Sequence, residues 1–181
     1  MKEFECPDQN VLARGGVIDA YLSAFGPYKT RGERVMCRHV GVEKLEATSD
    51  SLYPLHKVLL AMAELQDQFG GPFMRKVGAL IFDKAIFPPG IDSVVKGMLL
   101  LDTAYLSNHV NAEGKIGGYH WSSAGDHEGT MVCDNPYPCA FDIGILETIS
   151  RRFADGATVI HGTEAPCRHD GGTACSYLVR W

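Results

Sequence analysis

Three cysteines and a carboxylate crowd the last quarter of this 181-residue chain: Cys139, then Glu164, Cys167 and Cys175, with Arg168-His-Asp-Gly-Gly-Thr-Ala174 between the last two. Thiolate sulfur, imidazole nitrogen and carboxylate oxygen are the donors of tetrahedral zinc sites, and a glycine-containing turn can bring Cys167 and Cys175 together. The chemistry expected is metal coordination by Cys139, Glu164, Cys167 and Cys175, with His161 or His169 as alternatives to Glu164. Four such ligands leave negative charge in excess around a divalent ion, and Arg168 is the nearest cation in sequence to offset it. A shell of four protein ligands has no open position for water or substrate, so Zn²⁺ here would be structural. Two other readings stay open: a Cys167–Cys175 disulfide across a hairpin, or three ordinary buried thiols, since the spacing matches no common zinc motif.

These residues need elements to hold them. Leu52, Leu55, Val58, Leu59, Met62 and Leu65 recur at threes and fours and predict an amphipathic helix that Gly70-Gly71-Pro72 ends. A second helix is expected from Pro72 to Phe87, with Met74, Val77, Leu80, Ile81 and Ala85 inward, and a third from Asp92 to Val110. After Gly114 the period changes. Residues 115–123 and 129–133 read as strands joined by a polar turn, and Pro138 opens a helix to Ala154 that places Cys139 in its first turn. There unpaired backbone N–H groups and the helix dipole favour a thiolate. Residues 157–164 and 174–181 read as two more strands. The C-terminal order is therefore helix, strand, strand, helix, strand, strand, and the fold class is α+β, an antiparallel sheet against a helical layer. In residues 1–50, 17–25 reads as a short helix and 34–42 as a strand of imperfect alternation; the rest of that part resists reading.

With 45% hydrophobic residues and no internal repeat, the chain is expected to form a single domain over 1–181. A net charge of −5 with 17 scattered Lys and Arg gives no footprint for nucleic acid or an anionic membrane surface. No export signal or spanning run is visible, so a cytoplasmic location is expected and the six cysteines read as thiols or metal ligands rather than a disulfide framework.

Residues 75–181 resemble the 4-vinyl reductase-type small-molecule-binding domain, and most closely the zinc-containing sensory domains of phenol- and xylene-responsive bacterial activators. Those share an α+β fold with subunits of the TRAPP vesicle-tethering complex. The likeness is carried by Pro138-Cys139, Ile143-Gly144, Glu164-x-x-Cys167, Gly171 or Gly172, and Cys175. It implies zinc at Cys139, Glu164, Cys167 and Cys175, an apolar pocket for an aromatic effector, and a homodimer. The pocket residues it suggests are Trp121, with His120, His109 and Tyr105; as core packing and surface histidines they need no ligand, and strand alternation sets His120 and Trp121 on opposite faces.

The function expected is thus a stand-alone, zinc-stabilised module that binds or senses a small apolar or aromatic molecule. An enzyme of the same fold acting on a hydrophobic or tetrapyrrole-like substrate, and a non-catalytic scaffold, are the alternatives; whether any reaction is catalysed is left open, leaning towards none. Asp126-His127-Glu128 offers a second cluster of ionisable groups but reads as a solvated turn. Cys133 with His120 or His127 has the types of a nucleophile and base without a spacing that fixes them.

Overall fold

The structure is a computed structural model and describes residues 2–181. Residues 1–50, opaque to periodicity, hold the strand β1 (Leu12–Arg14) and two helices, α1 (Gly15–Ala24) and α2 (Lys29–Val40), joined by a 3-10 turn. The strand expected over 34–42 is corrected: it is the second half of α2. Gly32, Val35, Met36 and Val40 are its buried residues, a spacing of threes and fours that outweighs local alternation, and the helix stops at Gly41.

Next come β2 (Leu52–Pro54) and the long helix α3 (Leu55–Lys84). Its periodicity is the expected one, with Leu55, Val58, Leu59, Met62 and Leu65 buried before the break and Met74, Val77 and Ile81 after it. The break is Gly70, at φ 75 and ψ 177, a backbone conformation that only glycine reaches without strain. Then follow α4 (Val94–Ser107), β3 (His109–Val110), β4 (Tyr119–Ser123), β5 (Glu128–Cys133), α5 (Cys139–Phe153), β6 (Thr158–His161) and β7 (Cys175–Arg180). The expected α+β class holds, and so does the C-terminal order apart from β3, which takes the last two residues of the helix expected over 92–110.

Two antiparallel sheets result. The small one runs β2-β1-β3 and the larger β4-β5-β7-β6, so β7 lies inside the sheet. Cys133 pairs with Cys175, Met131 with Tyr177 and Gly129 with Val179, and these residues form the buried face of β5 and β7. Helices α3 and α5 cross in close contact because both present glycine. A Cβ on Gly78 would meet the Phe141 carbonyl oxygen at 2.0 Å, and one on Gly144 the Arg75 carbonyl oxygen at 2.1 Å. That contact sets where α5 begins, and hence where Cys139 stands. Among the described residues no helix is long and apolar enough to cross a membrane.

Candidate metal centre

Cys139 is the first residue of α5, after an extended Pro138. Pro138 supplies no side-chain cap; instead the Cys139 N–H donates to Glu3 Oε1 at 2.7 Å, so the N-terminal segment is tied to the site. Cys167 precedes the 3-10 turn Arg168–Asp170, and its Sγ accepts from the His169 N–H at 3.4 Å. Cys175 opens β7 on the buried face. His161 ends β6 opposite Tyr177, two residues along β7, so the pleat points it to the same side as Cys175, and its ring stacks on Tyr177 at 4.9 Å. The Sγ atoms stand 2.9 Å (Cys139 to Cys167), 3.2 Å (Cys139 to Cys175) and 3.5 Å (Cys167 to Cys175) apart. With a ring nitrogen of His161 they form a group whose four ligand atoms all lie within 4.8 Å of one another.

A fully buried cation lies beneath them. Arg168 is 1% exposed; its backbone N–H and its Nε donate to Cys175 Sγ at 3.3 and 3.4 Å. Its Nη1 donates to the Asn135 carbonyl and side chain, and its Nη2 pairs with Asp142. Asp142, itself 0% exposed, also accepts from Tyr119 Oη at 2.7 Å and Asn135 Nδ2 at 3.3 Å. Burial raises its carboxyl above the usual range, and the Arg168 guanidinium opposes that shift. Cys175 is held lowest of the three thiols: the hydrogen bond from Cys139 and the two Arg168 donors, with a smaller pull from the His161 ring, bring it well below its usual range, against burial. Cys139 is pushed up, first by its hydrogen bond to Cys175, and Cys167 is pushed up first by burial. A bound cation would reverse the order for these two, because metal coordination favours the thiolate.

His161 Nε2 is buried and has no hydrogen-bond partner. A buried imidazole nitrogen without a partner is costly, and here it belongs to the one histidine clustered with three thiols among the described residues. The centre forms the floor of a groove of about 660 Å³, lined by Glu3, Gln66, Cys139, His161, Glu164 and Asp170 among others.

Of the expected ligands, Cys139, Cys167 and Cys175 are brought together. Glu164 is exposed on the groove wall and is not one of the four clustered donors; the fourth is His161, one of the two alternatives, while His169 is exposed with Nδ1 3.2 Å from Glu3 Oε2. No disulfide forms among the described cysteines. The expected pocket residues separate. Tyr105 and His109 are buried beside Tyr119 and Tyr137, lining a cavity of about 30 Å³. His120 is exposed and hydrogen-bonded to Asp134, and Trp121 lies over Gly129 with its ring centroid 6.1 Å from that of Trp181. Asp126 and His127 are exposed in the β4–β5 turn, and Cys133 is 0% exposed with its thiol raised by burial, which leaves it unsuited to act as a nucleophile. Sequence reasoning missed Glu3 and Gln66; neither carries a local motif, and only the fold brings residues 3 and 66 to residue 139.

No family model matches the chain, and no curated protein does. Solved structures do. An H-NOX protein from S. oneidensis in the Fe(II)NO state is similar with a TM-score of 0.65 at 12% identity, over 92% of this chain and 98% of that one. A triply substituted variant of an S. oneidensis H-NOX protein in the Fe(II) state gives 0.66 at 13% identity, over 92% and 95%. Unliganded Fe(II) H-NOX from K. algicida gives 0.61 at 12% identity, over 92% and 95%. The resemblance to 4-vinyl reductase and TRAPP-type domains is therefore corrected: it rested on a handful of ligand positions, whereas these matches span nearly the whole chain and are all H-NOX domains. The structural zinc, expected from the donor types and reinforced by that resemblance, and the zinc-stabilised sensing of an apolar effector are corrected with it, since the matching structures are described by haem and its iron. At such identities the likeness is one of fold: the chain has the α+β architecture of H-NOX domains.

Proposed function

We propose that this chain is a sensory or binding module that takes up a thiophilic metal ion at Cys139, His161, Cys167 and Cys175. The observation that carries the reading is the unpartnered, buried His161 Nε2 beside three thiols, all four donors lying within 4.8 Å of one another. Soft thiolates with one imidazole select thiophilic ions over hard ones. When such an ion binds, its charge favours loss of the Cys139 and Cys167 protons. Arg168 donates into Cys175 and spreads the remaining negative charge, and Asp142 holds Arg168 in place.

Haem, which the similar structures are described as carrying, does not fit the residues of this chain. An iron porphyrin needs an axial ligand and a largely apolar cleft of several hundred Å³. The cavity beside His109, the most buried histidine of the described chain, holds about 30 Å³, room for one or two water molecules. Tyr105, Tyr119, Tyr137 and Phe141 crowd it, and both nitrogens of His109 are already engaged, with Tyr105 O at 2.7 Å and Tyr137 Oη at 2.8 Å. The larger groove carries the carboxylates of Glu3, Glu164 and Asp170, which would repel haem propionates.

Titration of reduced, metal-free protein with Co²⁺ tests the proposal. One equivalent is expected to develop sulfur-to-cobalt charge-transfer and tetrahedral visible bands, which Cys175→Ser and His161→Ala each diminish. Absence of the bands, or bands unchanged in both variants, overturns it.

A further inference from the structure

Helix α2 carries a charge of the opposite sign to the chain. It holds four of the 17 Lys and Arg, namely Lys29, Arg31, Arg34 and Arg38, and one of the 22 Asp and Glu, in a protein whose net charge is −5. All four cations are exposed, and Arg31, Arg34 and Arg38 recur at three and four residues, so they form one stripe. Arg38 pairs with Glu64 and Arg31 donates to Gln68 Oε1 at 3.0 Å, but among the described residues Lys29 and Arg34 have no carboxylate partner.

An apolar recess opens beside that stripe. Phe25, Phe69 and Phe73 wall a cavity of about 310 Å³, with Ala24, Tyr28 and Arg31 completing its lining. The three rings brace one another, their centroids 4.6 to 5.4 Å apart and their planes inclined at 41 to 86°. Gly32 lets α2 sit flush on Phe25, where a Cβ would meet the ring at 2.2 Å. The recess is thus shaped before anything enters it, which lowers the cost of binding. Tyr28 is 73% exposed, the most exposed large apolar side chain of the described chain, and the Arg31 guanidinium lies 4.7 Å over the Phe69 ring. Aromatic walls edged by an exposed Tyr and Arg are the composition of a protein interface centre.

Charge and shape together select the occupant. A cationic partner is repelled by the stripe. A lipid surface takes a protruding apolar face, whereas this one is recessed, and a single-stranded nucleic acid takes free ring faces to stack on, whereas these rings lie against one another. We propose that the recess and the α2 stripe bind an acidic peptide segment of another protein. One large apolar side chain enters between Phe25, Phe69 and Phe73, and flanking Asp or Glu residues pair with Lys29, Arg31 and Arg34. No residue of this surface belongs to the thiol centre or its groove, so the proposal is independent of the metal reading.

Fluorescence polarisation with a pool of short labelled peptides, Trp at the centre and Asp, Glu, Ala or Gly elsewhere, tests this. Saturable binding is expected, weakening as salt rises. Lys29→Glu with Arg34→Glu reverses two exposed charges and should weaken it roughly tenfold at low salt. Tyr28→Ala, which removes no side-chain cap from α2, should weaken it several-fold, and replacing the central Trp of the pool by Ala should remove most of the binding. Both protein variants change exposed side chains only, so their melting points should match the parent's, which separates a lost contact from a lost fold. The proposal is overturned by no saturable signal, by equal affinity in the parent and the charge-reversed variant, or by equal binding of a pool with Lys in place of Asp and Glu. Tighter binding of phosphatidylserine vesicles or of oligothymidine than of the acidic pool also overturns it, as does self-association of the parent that the charge reversal abolishes, which would make a second copy the occupant.

Discussion

Acidification should destabilise this protein through one histidine. His109 is 7% exposed, with Nδ1 2.7 Å from Tyr105 O and Nε2 2.8 Å from Tyr137 Oη. The neutral ring meets both needs: its Nδ1–H donates to the carbonyl and its Nε2 accepts from the phenol. A second proton would place a charge among Tyr105, Tyr119 and Tyr137, and burial pushes the ring down from 6.5 to about 4, against the help of the Tyr105 carbonyl. In the unfolded chain His109 takes up its proton near 6.5, in the folded chain not until about 4, so the unfolded state binds more protons between these values. Stability is therefore complete above about pH 6.5 and is lost as pH falls towards 4. At about 1.36 kcal/mol per pH unit, the difference is worth roughly 3 kcal/mol, a large share of the ~5–15 kcal/mol that holds a typical domain together. Urea unfolding of the parent and His109→Gln at pH values between about 7.5 and 4 measures it, since glutamine donates and accepts without titrating and all other ionisable groups are common to both proteins. The parent should lose about 2–3 kcal/mol more than the variant over that range. Parallel losses, or a His109 ring that titrates near 6.5 by NMR, would refute the reasoning.

Two further outcomes rest on packing. Gly78→Ala puts a methyl group where the Phe141 carbonyl oxygen stands 2.0 Å away, so α3 and α5 must separate, at a cost of roughly 1–3 kcal/mol by thermal denaturation; an unchanged melting point would mean that the helices are not in contact there. Asp142→Asn takes the carboxylate from the 1%-exposed Arg168 and leaves it Cys175 and Asn135 alone, which should cost roughly 1.5–3 kcal/mol and also weaken Co²⁺ uptake because Arg168 supports Cys175; full stability with unaltered uptake would contradict the role assigned to the pair.

Much of the C-terminal half was legible because its elements are amphipathic. The buried residues of α3 and α5 recur at threes and fours, and β5 and β7 alternate cleanly. The three cysteines were legible as a group because thiols are scarce donors with few structural uses. The fourth clustered donor was not: choosing His161 over Glu164 requires the β6–β7 register that sets His161 against Tyr177, and register is long-range information. Glu3 and Gln66 were invisible for the same reason. Helix α2 was misread because Val35, Met36 and Val40 satisfy a loose strand pattern as readily as a helical one until neighbours choose between them. The likeness to 4-vinyl reductase domains drew on the ligand positions and left residues 1–50 aside, yet that stretch supplies β1, α1 and α2 of a fold shared over 92% of the chain.

The place of β7 inside the larger sheet, between β5 and β6, has a consequence for how the molecule comes to exist. In chain order β7 follows every other strand, yet it supplies the pairing that β5 and β6 both require, and with Cys175 one of the four donors. During synthesis the helices can collapse while two strand edges stay open, and the thiols of Cys139 and Cys167 wait without their third member. The centre thus closes in the same event as the sheet. A nascent or C-terminally clipped chain would expose unpaired edges and loose thiols together, whereas a chain whose four donors have met has, by that fact, finished folding.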